Sequence, residues 1–461
     1  MCPRMSDPPT GKEDPNVDPG SQAGGTESTG SFFQQFAEIG PEERRFCLVA
    51  GLFFFLLLGS YYMMRPLRDA YGAERPEDLK KLFLGTLALT LVVQPLFGML
   101  CRKYGRRRIL PASYRFLAIL TVAFGIALAN FDGKVLRYTQ NSYFCWVATY
   151  SIIGVSLFWG LLGDLLGRAR SLRLFGFVAV GGTLGAIFGA FIAGFAQELL
   201  PALHVGPAAL TVVAAVLLEA CVWLAGPVER LATALRTDED PPGEDEALTP
   251  IGGGILSGFS RVVSSPYLLG LAAYVVIYVF GSTLLYEFGA EITRDAFEST
   301  GTRSAFFAKV DLAVNGLTLV LQLFAVRWMM EKVGVGVALA AVPVITAAGL
   351  AILAVEPTLF ALAVLQVLRR GSEYGLSKPA RDALFTVLSR EDKYKSKLVV
   401  DTVAYRGGDA AALWSKHGLA KLGVGGGAAA WGLVALTVMG AVLALVLGRS
   451  FQRRSEAGRS Q

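Results

Sequence analysis

Apolar runs of about twenty residues recur along this chain, each long enough to cross a hydrocarbon layer of roughly 30 Å as a helix. Backbone polar groups cannot stay unpaired in lipid, so such runs must be helices packed on one another. Of the 461 residues, 53% are hydrophobic and only 17% charged, where soluble chains carry about a quarter charged residues. The fold class that follows is an all-α membrane protein with about twelve transmembrane helices.

The first six spans are Phe46–Met64, Leu82–Cys101, Ile109–Asn130, Tyr143–Gly163, Leu174–Ala196 and Pro207–Gly226. After the acidic stretch Thr237–Thr249 come Pro266–Tyr286, Ala305–Val326, Val335–Val355, Pro357–Leu388, Leu398–Ala420 and Gly427–Leu447. Charged residues interrupt the tenth and eleventh. The domain organisation expected is a tail over 1–40, a six-helix half over 41–228, a linker over 229–265, a second half over 266–448 and a tail over 449–461. The first tail is rich in Pro, Gly, Ser and acidic residues, with almost nothing to bury, and reads as disordered. It lacks the apolar core of a signal peptide.

Lys and Arg concentrate in the even-numbered connections and the C-terminal tail, among them Arg106–Arg108 after span two, Arg168 and Arg173 after span four, and Lys393–Lys397 after span ten. The orientation rule then makes both termini cytoplasmic, in a multi-pass protein of a bacterial inner (plasma) membrane. The net charge of +6 reflects these loops and points to no nucleic acid. Arg65, Arg68, Arg75, Lys80 and Lys81 fall on the other side; the first two read as pocket residues and the rest have no account at this level. Cys2, Cys47, Cys101, Cys145 and Cys221 show no metal or disulfide spacing, and His204 and His417 are the only histidines. No metal, cofactor or enzymatic constellation is expected.

Two loops repeat. After span two the chain reads Gly98-x-x-x-Arg102-Lys103-Tyr104-Gly105, and after span eight Arg327-x-x-x-Glu331-Lys332-Val333-Gly334. Two pseudo-symmetric six-helix halves facing a midplane site are the usual build of secondary transporters. The first copy fits a basic loop obeying the orientation rule. It also resembles, in part, the loop signature of the major facilitator superfamily, with Arg102 where that signature has an aspartate. Gly181, Gly185 and Gly189, spaced by four, predict close helix packing in span five.

Charges inside apolar spans cost roughly 2.5–3.5 kcal/mol each at the bilayer centre, so they should face a polar cavity or one another. Four clusters stand out. Span one ends on Arg65, Pro66, Arg68 and Asp69, and span four ends on Asp164. Span seven ends on Glu287, and span ten contains Arg369, Arg370, Glu373, Lys378, Pro379, Arg381 and Asp382. Arg65 with Arg68, and Lys378 with Arg381, are three apart and share a helix face. Each proline can kink its helix. Spans one and seven would place charge near the outer mouth, spans four and ten nearer the inner mouth. The same charges also fit helix ends at the interface or gate salt bridges of the Arg68–Asp69 kind.

From Ser372 the chain reads S-E-Y-G-L-S-K-P-A-R-D-A-L-F, followed by Lys393, Lys395, Lys397 and Asp401. This resembles the nucleotide exchange transporters (ATP/ADP translocases), which are related to the major facilitators. Tyr61, Arg65, Arg68 and Asp69 match that family's span-one pattern, and Arg173 to Gly185 resembles its fifth span. The resemblance implies phosphate-binding roles for Arg68 and Arg381. Arginine stands at both positions where the family has lysine, and it forks bidentately on phosphate. Lys378 replaces a family aspartate, Pro66 replaces another, and Asp409 stands where the family tends to have lysine.

The expected function is an ATP/ADP-antiporter-type secondary transporter of an anionic, phosphorylated metabolite, working by alternating access as a monomer in the lipid bilayer. ATP and ADP are the substrates the resemblance implies; a short form such as this one leaves room for another. The substrate-binding residues expected are Arg65, Arg68, Asp69, Asp164, Glu287, Glu373, Lys378, Arg381, Asp382 and Arg406. The alternative is a proton-coupled facilitator of a small metabolite or drug, with Glu287 or Asp164 titrating.

Overall fold

The computed structural model describes residues 39–166, 168–199, 207–235, 255–389, 392, 396–397, 399–422 and 426–459. Residues 1–38 of the tail expected over 1–40, the acidic stretch Thr237–Thr249, and Arg390, Lys393, Lys395, Gly423 and Gly425 lie outside them.

The first six long helices are α1 Pro41–Glu74, α2 Leu79–Tyr104, α3 Arg106–Asn130, α4 Gly133–Leu165, α5 Arg168–Leu199 and α6 Leu210–Ala234. After a short helix, Ile255–Ser264, come α7 Pro266–Ala296, α8 Thr300–Val320, α9 Val335–Val355, α10 Leu359–Ser372, α11 Tyr405–Lys421 and α12 Gly426–Arg459. Among the described residues, 10 helices are long and apolar enough to cross a membrane. The α-helices of the expected tenth and eleventh spans, 14 and 17 residues long, are not among them. The described residues form an all-α fold of long, mostly apolar helices.

Several helices run past their apolar windows. The apolar stretch of α1 stops at Met64, but the helix continues to Glu74 and carries Arg65, Arg68 and Asp69 with it. Pro41 opens α1 where its missing N–H costs nothing, with Glu42 and Glu43 against the positive end of the dipole. Side-chain oxygens of Ser265, Ser299 and Thr358 cap α7, α8 and α10.

The sequence repeat corresponds to a repeated turn. Gly105 joins α2 to α3 at φ 75° and ψ 148°, and Gly334 enters α9 at φ 101° and ψ 155°. A side chain at either site would be strained, which is why glycine ends both copies of the motif.

The α5 glycines pack closely, as their spacing predicts. A Cβ built on Gly185 would lie 2.0 Å from the Phe55 carbonyl oxygen, and one on Gly189 would lie 2.3 Å from that of Gly59. Backbone meets backbone along α1 and α5, the small-residue contact that holds helices together in lipid. This contact anchors the helix that carries Arg65 and Arg68.

The tenth span is not a single α-helix. After α10 a π-helical turn covers Glu373–Ser377, and α-helix resumes over Lys378–Leu384. Pro379 follows directly. It lacks an N–H and crowds the carbonyl four residues back, and the wider turn relieves that crowding. Another π-helical turn, Val399–Ala404, leads into α11.

Candidate functional site

A cavity of about 200 Å³ lies between the first and last six helices, lined by α1, α2, α7, α8, α10, the π-helical turn after it and α11. Five arginines line it: Arg65, Arg68, Arg369, Arg370 and Arg406. So do Asp69, Glu373 and Asp409, together with Tyr61, Tyr278, Tyr286, Tyr374 and Tyr405. Behind them, Asp311 lies 3.4 Å from Arg65, and Arg381 lies 3.1 Å from Glu373. Six arginines thus stand against four carboxylates.

The pairing is specific. Arg68 donates from Nε to Asp69 Oδ1 at 2.9 Å, and Tyr286 donates from its hydroxyl to the same oxygen at 3.0 Å. Arg370 donates to Asp311 Oδ1 at 2.6 Å. Arg381 donates to Glu373 at 3.1 Å, and Arg406 to Asp409 at 3.3 Å. Thr283 donates to the other Asp409 oxygen at 2.6 Å. Arg65 is shared, 3.6 Å from Asp69 and 3.4 Å from Asp311. Arg369, 6% exposed, donates to the Ser282 hydroxyl at 3.0 Å. Among the described residues, the Nε atoms of Arg65, Arg369 and Arg370 are buried without a hydrogen-bond partner.

Aromatic rings support these cations. Arg68 lies over Phe144 at 5.0 Å, Arg381 over Tyr278 at 5.8 Å and Arg406 over Tyr405 at 5.6 Å. A guanidinium on a ring face keeps its edge free to bind.

Of the residues expected from the sequence, Arg65, Arg68, Asp69, Glu373 and Arg406 line the cavity, and Arg381 stands behind Glu373. The other four lie elsewhere. Asp164 is exposed and pairs with Arg106. Asp382 is exposed and accepts from Lys397 at 2.6 Å. Lys378 is exposed and does not line the cavity. Glu287 lies 3.3 Å from Lys416, which also donates to Glu291 at 3.0 Å.

Asp311 was not anticipated, although an aspartate inside the apolar stretch Ala305–Val326 carries the usual signal of a buried functional charge. Arg369 and Arg370 belong to the span-ten charge cluster but not to the substrate-binding set expected from the sequence. The basic residues without a sequence-level account acquire partners. Arg75 contacts Glu74 at 3.3 Å, Lys80 contacts His417 Nδ1 at 3.2 Å, and Lys81 donates to Asp78 at 3.5 Å.

The Lys80–His417 contact bridges α2 and α11, as Asp69–Tyr286 bridges α1 and α7 and Arg65–Asp311 bridges α1 and α8. These bridges lie toward the end of the bundle opposite the α2–α3 turn. At the α2–α3 end, Arg106 and Asp164 are 42% and 43% exposed.

No protein-family model matches this chain, and no curated protein matches it. Solved structures do. A bacterial homologue of the human lysosomal transporter Spinster, in an inward-facing and unoccupied conformation, aligns with a TM-score of 0.54 at 14% identity, over 90% of this chain and 99% of that one. The nucleoside transporter NupG aligns with a TM-score of 0.52 at 12% identity, over 90% of this chain and 99% of that one. At these identities the likeness is one of fold.

Proposed function

We propose that this chain is a secondary transporter of the nucleotide-exchange type, moving an anionic, phosphorylated metabolite by alternating access. The observation that carries this reading is the excess of arginine over carboxylate in a cavity between the first and last six helices. Buried charge without a partner is expensive, so such a cavity is built to receive an anion. Guanidinium forks match phosphate oxygens in pairs. ATP and ADP are the anions suggested by the resemblance of the span-one and span-ten motifs to the ATP/ADP translocases.

The protein acts as a monomer in a bacterial inner membrane, with its basic loops and both termini in the cytoplasm. Lys80–His417 joins α2 to α11 toward the outer end, and Arg106 and Asp164 stand exposed at the cytoplasmic end. In the empty carrier, Asp69, Asp311, Glu373 and Asp409 hold the arginines. Substrate oxygens then replace or supplement those carboxylates.

The proton-coupled alternative needs a titrating carboxylate in the cavity. Glu287 is held by Lys416 and Asp164 by Arg106, and neither lines the cavity; the carboxylates that do, Asp69, Glu373 and Asp409, are each engaged by an arginine. Anion exchange is therefore the favoured reading.

The test is uptake of labelled phosphate-bearing anions into proteoliposomes, either preloaded with unlabelled anion or empty. Uptake that needs internal anion supports exchange. Uptake that follows a proton gradient and ignores internal anion rejects it.

A further inference from the structure

The ion pairs of the cavity are unevenly matched. Four arginines each have a carboxylate at close range: Arg68 with Asp69, Arg370 with Asp311, Arg381 with Glu373 and Arg406 with Asp409. Two remain. Arg65 only shares Asp69 and Asp311, at 3.6 Å and 3.4 Å, with arginines that hold them more closely. Arg369 has a serine hydroxyl and, among the described residues, no carboxylate. Both keep a buried Nε–H without an acceptor among those residues, as the paired Arg370 also does.

We infer that the cavity is matched to a compact phosphate dianion, inorganic phosphate or a small phosphate monoester, held between Arg65 and Arg369, and not to a nucleoside di- or triphosphate. The inference rests on the proposed exchange of phosphate-bearing anions and narrows its substrate class. A phosphate monoester carries about −1.5 to −2 charges at neutral pH, which the two surplus guanidiniums balance. Each further phosphate adds charge that these two arginines do not offset, and uncompensated charge away from water is costly. Size points the same way. The cavity holds about 200 Å³, below the roughly 300–1,000 Å³ usual for drug-sized ligands. Arg369 is the specificity-determining residue, because its guanidinium is the one not already committed to an acid.

The experiment uses the full chain reconstituted in vesicles preloaded with inorganic phosphate, with labelled phosphate outside. Glycerol 3-phosphate, ADP and ATP serve as competitors at equal concentration. Phosphate should exchange, glycerol 3-phosphate should compete, and ATP should compete at least ten-fold less well. Arg369→Gln should weaken phosphate competition at least ten-fold, whereas Arg369→Lys should retain part of it. Asp409→Asn adds one net positive charge, and Asn can still accept from Thr283. It should raise ADP competition several-fold relative to glycerol 3-phosphate. ATP and ADP exchanging in ATP-loaded vesicles, with inorganic phosphate neither exchanging nor competing, would overturn the dianion assignment and leave nucleotide exchange standing. Exchange of none of these anions, by protein shown to be folded, would overturn both.

Discussion

Arg65 of α1 and Arg370 of α10 reach the same carboxylate oxygen, Asp311 Oδ1, at 3.4 Å and 2.6 Å. The two guanidiniums come from opposite sides of the bundle and would repel each other without the aspartate between them. Asp311 therefore does in the empty cavity what a substrate anion does in the filled one. It contacts two arginines at once and links α1 to α8 and α10.

Removing that carboxylate should expose the relationship. Asp311→Asn leaves Arg370 without its carboxylate and Arg65 with only its share of Asp69, a class of change that costs roughly 3–5 kcal/mol when a buried pair is broken. The melting temperature in detergent should fall, and added phosphate should recover more of the loss than it adds to the wild type. A variant that melts lower and gains no more from phosphate than the wild type would separate Asp311 from the anion site.

The α1–α5 contact makes a second prediction. Gly185→Ala places a Cβ 2.0 Å from the Phe55 carbonyl oxygen, so the helices must part. Overpacking of this kind costs about 1–3 kcal/mol or more. Gly176→Ala, in the same helix with nothing within 4 Å of its Cβ, should fold with unchanged yield. Thermal melts of the two variants side by side check this.

On the outer surface of the bundle, Arg115 of α3 donates to Glu219 of α6 at 2.9 Å, and Trp223 donates to the same carboxylate at 2.9 Å. Both charges lie well inside their spans and are half exposed toward lipid. Arg115→Leu strands a carboxylate at membrane depth and should lower the melting temperature. The double variant Arg115→Leu with Glu219→Leu removes both charges and should regain most of the loss. Additive losses would mean that the two residues do not act as a pair.

Much of this was legible in the sequence. The apolar runs place ten of the helices, Gly105 and Gly334 mark equivalent turns, and the Gly181–Gly189 stripe announces a close helix contact. Arg65, Arg68 and Asp69 stand out because charge inside a span needs a reason. The rest depends on packing that linear spacing does not encode. Lys378 and Arg381 read as partners on one face, as Arg65 and Arg68 do. The π-helical turn at Glu373–Ser377 inserts extra backbone ahead of them, which rotates everything downstream relative to a straight helix. Arg381 ends against Glu373 and Lys378 ends exposed. Asp311 acquires meaning only through Arg65 and Arg370, some 246 and 59 residues away in sequence.

That divergence offers the most direct test of the central claim, that the arginine-lined cavity carries the substrate. Counterflow uptake of labelled phosphate would be measured for Arg68→Ala, which removes a cavity guanidinium, and for Lys378→Ala, which removes an exposed ammonium outside it. The account predicts that Arg68→Ala loses uptake at least ten-fold while Lys378→Ala retains most of it, both at wild-type folded yield. Equal loss in both, or loss in Lys378→Ala alone, would contradict it.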